Sequence, residues 1–172
     1  LELYLDMEKK GRSIAVMCAH YASDEWVISM NRVSNFEGYG IYKKINNKYF
    51  NQLVKDIRSK FKATLITTKE TIPTIERNFR NKHLGLYGFA SDQSPQATKA
   101  HHWAKFMGIE VPVHTGAEML AKRFDMNIIF LRVKKVKRGY YEATLEPMAE
   151  NPKTVPDYQI SDAFLRRVEK QI

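Results

Sequence analysis

The segment Ala19-His20-Tyr21-Ala22-Ser23-Asp24-Glu25 sets an imidazole a short loop ahead of two carboxylates. The apolar run Ile14-Ala15-Val16-Met17-Cys18-Ala19 before it reads as a buried parallel strand, and Ser23-Asp24-Glu25 reads as a helix start. An imidazole at the strand end and a carboxylate in the first helical turn can therefore meet. A carboxylate bonded to one ring nitrogen fixes the tautomer, stabilises the imidazolium and leaves the other nitrogen to take a proton from an attacking hydroxyl. This is the logic of a Ser-His-Asp site in which the substrate brings the hydroxyl. Spacing does not choose between Asp24 and Glu25, and the same pattern suits a loop histidine beside a helix-capping acid.

Other chemistry-bearing residues are scattered. Asp92 follows an apolar strand, where it could position substrate, brace the His20 loop or simply cap a turn. His114 precedes a helix at Gly116, where it could line an acceptor pocket or be a surface residue. His83, His101 and His102 invite a metal reading, but no Cys or acid stands at recognisable ligand spacing, so no metal is expected. The single Cys18 lies in the apolar run and has no internal disulfide partner.

The elements that must position these residues alternate between strand and helix. Strands are predicted over residues 13–19, within 35–42, over 63–67 and over 84–90, with helices from residue 23, over 46–61 and over 71–81. Pro73 falls in the first turn of the third helix, where a missing N–H costs nothing. Residues 91–115 lose periodicity and read as a long loop with short ordered pieces. A helix over 116–124, strands over 127–134 and 140–145 about the turn Lys137-Arg138-Gly139, a polar linker after Pro147 and a helix from Ser161 complete the chain. The expected fold is a single α/β domain with a mostly parallel sheet flanked by helices, closed by an antiparallel hairpin near the C-terminus. Ligands of such sheets bind outside the carboxyl ends of the strands, the edge where His20 and Asp92 fall.

Of 172 residues, 28 are Lys or Arg and 19 are Asp or Glu, giving a formal charge of +9 and a pI near 9.6. That points to an anionic partner, whether nucleic acid, membrane surface or acidic protein. No stretch approaches the roughly 20 apolar residues that span a bilayer. The chain opens directly on Leu1-Glu2-Leu3-Tyr4-Leu5, and truncation at both ends is expected.

Three further blocks, taken in order with the His20 segment, give the chain a family resemblance. Tyr42-Lys43-Lys44-Ile45-Asn46-Asn47 through Arg58-Ser59-Lys60-Phe61 is similar to a "YRPLxNP" block followed by a helix and then "R-x-R-x-G". Gly88-Phe89-Ala90-Ser91-Asp92-Gln93-Ser94 is similar to an "ADQ" strand end. Phe106-Met107-Gly108 and Thr115-Gly116-Ala117-Glu118-Met119-Leu120-Ala121 are similar to "FFG" and "TGxAxLA". The set resembles the lipid A biosynthesis (lauroyl/myristoyl) acyltransferases, a branch of the lysophospholipid acyltransferase superfamily, over about residues 11–152. Where that family's His motif reads like "HFGNWE", Ala22 stands for the Gly and Asp24 for the Trp, with Trp26 one place later. Lys43 stands for an Arg, keeping the charge without the bidentate fork.

The resemblance implies that residues 1–172 are an acyltransferase catalytic domain, without the family's N-terminal anchor and C-terminal block. It implies a glycerol-3-phosphate/lysophospholipid acyltransferase-like fold, with His20 as general base and Glu25, in preference to Asp24, as its carboxylate. Lys43, Arg58, Asp92, Gln93, His114 and Gly116 would contact substrate. The reaction would move a fatty acyl chain from an acyl-carrier-protein thioester, or a coenzyme A ester, to a hydroxyl of a lipid A precursor. No cofactor beyond that co-substrate is expected. The implied partners are acyl carrier protein, a phosphorylated glycolipid and an anionic membrane surface, at the cytoplasmic face of the bacterial inner membrane. Lys43, Lys44, Arg58 and the cluster Lys134-Lys135-Val136-Lys137-Arg138 are the cations that suit these partners, although the cluster equally fits a soluble hairpin tip. The alternatives are another lipid O- or N-acyltransferase of the superfamily, such as a glycerolipid enzyme, or a basic RNA-binding module. No single-strand recognition motif is visible, and nucleic acid is not expected.

Overall fold

The computed structural model describes residues 2–22 and 24–172, the side chains of residues 24–26 excepted. Its centre is β1 (Ile14–Cys18), whose five residues are all buried. A strand apolar on both faces must be covered on both, and β1 pairs in parallel with β4 (Gly85–Ala90) on one side and β7 (Asn127–Lys137) on the other. Outside β4 come β2 (Glu37–Tyr42) and β3 (Thr64–Thr67), also parallel. β8 (Tyr140–Ala149) closes the other side antiparallel to β7, so the sheet order is β3-β2-β4-β1-β7-β8. The expected mostly parallel α/β domain is what forms.

Two apolar layers flank the sheet. On one face α3 (Thr71–Arg80), α4 (Gly116–Arg123) and α5 (Gln159–Gln171) pack Ile75, Ala117, Ala121, Phe164 and Val168 against Met17, Tyr87, Phe89 and Phe130. On the other face α1 (Glu2–Lys9) buries Tyr4 and Met7 against Ile14, Val16, Leu86 and Ile129, with Val27, Met30 and Phe36 alongside. Arg12 ties the amino ends of this layer together, donating to Asn127 Oδ1 at 2.7 Å and to the Glu150 carbonyl at 2.6 Å.

Four elements depart from expectation. The helix after His20 is a 3-10 helix (Asp24–Arg32), long for its type. The predicted long loop contains an antiparallel hairpin, β5 (Trp103–Phe106) and β6 (Ile109–Pro112), turned at Met107 and Gly108. Both turn residues have positive φ, 51° and 81°, the twist a two-residue hairpin turn needs. β8 runs through Pro147 instead of yielding to a linker; it is an edge strand, where a proline breaks no ladder on its outer side. The last helix starts two residues early, at Gln159.

α2 (Lys48–Ser59) is set apart by its packing. Its N-cap is Asn47, whose side chain accepts from the Tyr49 and Phe50 N–H groups at 3.0 and 3.1 Å. Among the described residues it contributes only Asn51 to the buried set and no side chain to either apolar layer.

Candidate active site

β1 and β4 run side by side with Cys18 opposite Ala90, and the pairing continues past the strand ends. Ser91 N–H donates to the Cys18 carbonyl at 3.2 Å. Two residues beyond each registered end stand His20 and Asp92. At His20 the chain reverses through a three-residue turn, in which Tyr21 N–H donates to the Ala19 carbonyl at 2.8 Å. The Asp92 carboxylate spans the gap: Oδ2 accepts the His20 backbone N–H at 3.0 Å, and Oδ1 meets the ring Nδ1 at 2.7 Å.

This arrangement fixes the imidazole chemically. A carboxylate accepts, so Nδ1 carries the proton and donates, and Nε2 of the neutral ring is left as the acceptor. The His20 side chain is 44% exposed and that of Asp92 18%, so the anchoring end is covered while the imidazole reaches the surface. The geometry can withdraw a proton from a hydroxyl brought to Nε2 and hold the resulting imidazolium against Asp92.

The remaining predicted residues fall in three places. Gln93 is exposed, directly beyond Asp92. His114 and Gly116 lie at the junction of β6 and α4, with His114 exposed and its pKa pushed below the ordinary imidazole value by desolvation. Lys43 is exposed just past the carboxyl end of β2, on the same edge of the sheet as His20. Arg58 is half-buried in the last turn of α2, about 15 Å along the helix axis from Lys48. Glu25, and Asp24 with it, lies outside the described side chains.

Two of the other histidines, His83 and His102, are engaged elsewhere. His102 Nε2 bonds Asp162 Oδ1 at 2.7 Å and the ring stacks on Tyr158 at 4.5 Å, pinning the β5–β6 hairpin to α5. His83 Nε2 meets Glu37 Oε2 at 3.1 Å near the amino end of β2. No group of three metal-ligating side chains occurs among the described residues. A polar groove of about 630 Å³, lined by Arg32, Asn35, Glu37, Lys60 and Lys62, opens at the amino end of β2, the opposite edge from His20.

Two features bear on α4 and on the carboxyl edge. Glu118, fully buried in the first turn of α4, takes both the N–H and the Oγ–H of Ser161 on one oxygen, at 2.8 and 2.6 Å. Its other oxygen meets the Lys122 ammonium at 2.8 Å. β1 pairs with β7 only as far as Phe130, so the β7–β8 ribbon overhangs the carboxyl edge and carries Lys134, Lys135, Lys137 and Arg138, all exposed, out beyond it.

The family model described as "Bacterial lipid A biosynthesis acyltransferase" matches residues 1–172. The match covers the ends of the chain as well as the span carrying the motifs. No curated protein matches the chain.

Proposed function

Because the chain belongs to the bacterial lipid A biosynthesis acyltransferase family and is therefore an acyltransferase, we propose that it is a catalytic domain in which His20, oriented by Asp92, activates an acceptor hydroxyl. The observation that carries this reading is the pair of hydrogen bonds from His20 to Asp92 at the carboxyl edge of the sheet.

The acceptor hydroxyl binds with its proton toward His20 Nε2. As that proton moves to the imidazole, the oxygen attacks the thioester carbonyl carbon of an acyl carrier protein. The tetrahedral intermediate collapses, the carbon–sulfur bond breaks, and the departing thiolate takes the proton from the imidazolium. An ester and a free thiol result. Asp92 offsets the charge of the imidazolium, and Glu25 is the second carboxylate that the family motif assigns to the same imidazole. Lys43, Arg58, Gln93, His114 and Gly116 are the proposed substrate contacts.

The excess of positive charge suits an acidic carrier protein and a phosphorylated glycolipid. The overhanging tip at Lys134, Lys135, Lys137 and Arg138 is placed to attract either toward the edge that holds His20. No helix among the described residues is long and apolar enough to cross a membrane. The proposed setting is the cytoplasmic face of the inner membrane, where both substrates are at hand.

The test is acyl transfer from acyl carrier protein to a lipid A precursor by the native chain and by His20→Ala, Asp92→Ala and Glu25→Ala. Loss of about a hundredfold or more in kcat is expected for His20→Ala; equal turnover in all four would end the mechanism.

A further inference from the structure

The helical period of α2 places Tyr49, Phe50, Leu53 and Ile57 on one continuous face. In a helix lying on a sheet that face would point inward. Here the four are 76, 55, 51 and 48% exposed, and the inward side carries Asn51, with Val54, Lys55 and Arg58 half-buried beside it. The rotation is fixed by the loop before the helix: the buried Asn51 side chain accepts the Ile45 N–H at 3.1 Å, so turning the apolar face inward would break that bond.

Cations lie at both ends of the exposed face, and the single acid of the helix, Asp56, borders it. Lys43, Lys44 and Lys48 precede it or begin it, and Lys60 and Lys62 follow it, all exposed. The Lys48 ammonium lies 5.0 Å from the centre of the Tyr49 ring. A second copy of the chain brought against this face would meet the same cations, so self-association is opposed by repulsion. An anionic bilayer meets both requirements at once, taking four apolar side chains into the acyl boundary and five ammonium groups against its headgroups.

We propose that α2 is an in-plane membrane-docking helix, seating Tyr49, Phe50, Leu53 and Ile57 in a leaflet of anionic lipid. Tyr49 and Phe50 belong to the first turn, at the carboxyl edge of the sheet, so docking sets the edge that holds His20 beside the surface where a lipid acceptor resides. That consequence rests on the proposed function; the docking itself does not.

The test is co-sedimentation of the 172-residue chain with vesicles of equimolar phosphatidylglycerol and phosphatidylethanolamine, and with vesicles of phosphatidylcholine. The native chain should partition into the anionic vesicles, with weakening by salt. A Tyr49→Ser, Phe50→Ser, Leu53→Ser, Ile57→Ser variant should lose about tenfold or more, and Lys48→Glu, Lys60→Glu, Lys62→Glu a comparable factor on anionic vesicles alone. Circular dichroism identifies any variant that does not fold. Leu53→Cys carrying a polarity-sensitive fluorophore gives an independent readout in an otherwise native chain, since Cys18 is buried; its emission should shift to the blue on vesicles. Unchanged emission, or unchanged partitioning of folded variants, overturns the proposal. So does loss of carrier-protein binding or of a dimer in the serine variant without any loss of vesicle binding. Failure of the function reading shows separately, as absent acyl transfer by a chain that docks normally.

Discussion

The carboxylate of Asp92 receives two hydrogen bonds from His20, one from its backbone N–H at 3.0 Å and one from its ring Nδ1 at 2.7 Å. The first fixes where the residue begins and the second fixes how its ring is turned. Each residue stands two positions past a registered pair of parallel strands, so the strand register sets where both begin.

Asp92→Asn separates orientation from mere bracing. The amide oxygen can still accept the His20 N–H, but its NH₂ then faces Nδ1 and forces the ring proton onto Nε2, the wrong tautomer for a base. A fall in kcat of roughly 10²–10⁴ is expected, with little change in KM or thermal midpoint. The rise of kcat with pH that reports an essential base should be distorted in the variant. A variant with native kcat and pH profile would remove Asp92 from the mechanism.

Ala22 has φ 58°, a left-handed conformation in the loop directly after His20, at the position where the family motif carries glycine. A Cβ there costs roughly 1–2 kcal/mol, and part of the gain from removing it is returned through the flexibility of glycine in the unfolded chain. Ala22→Gly should therefore stabilise by about 0.5–1 kcal/mol, read as a higher denaturant midpoint at constant m. Destabilisation would contradict the loop conformation.

Glu118 is fully buried, and its removal strands the Ser161 N–H and leaves the Lys122 ammonium with Asp157 alone, at 2.7 Å. Glu118→Ala should destabilise by about 1–3 kcal/mol, and Glu118→Gln by less, because the amide oxygen still serves Ser161. Equilibrium denaturation of the two variants checks both the size and the order.

Stability should fall on the alkaline side. Burial, reinforced by a hydrogen bond to Glu37, pushes the Tyr39 hydroxyl up to about 12, and burial raises Tyr87 as well. Above pH 10.0, the ordinary tyrosine value, the unfolded chain releases phenolic protons that the folded chain retains. The folded state then binds more protons, so unfolding free energy drops as pH rises from about 10 to 12. Tyr39→Phe keeps the 4.9 Å ring stack on Tyr87 and removes one of these protons, so its stability should decline less steeply over that window. Parallel declines in the two proteins would show that Tyr39 contributes nothing to the slope.

The sequence alone determined the alternation of elements and the edge on which chemistry sits. Apolar runs at residues 14–18, 85–90 and 128–131, short and bounded by polar or turn residues, read as strands covered on both faces, and the carboxyl ends of the first two put His20 and Asp92 on the ligand-binding edge. Local pattern also carried the four family blocks. Tertiary structure alone decided what partners what. His20 and Asp92 are 72 residues apart, and only the register of β1 against β4 turns two separate candidates into one hydrogen-bonded unit. Pro147 is silent in an edge strand because β8 has no outer neighbour among the described residues, a fact of topology and not of composition. The amphipathic pattern of α2 was visible in the chain, but a pattern does not say which way the helix is turned. One buried hydrogen bond from Ile45 to Asn51 decides that, and it leaves the apolar face to the outside.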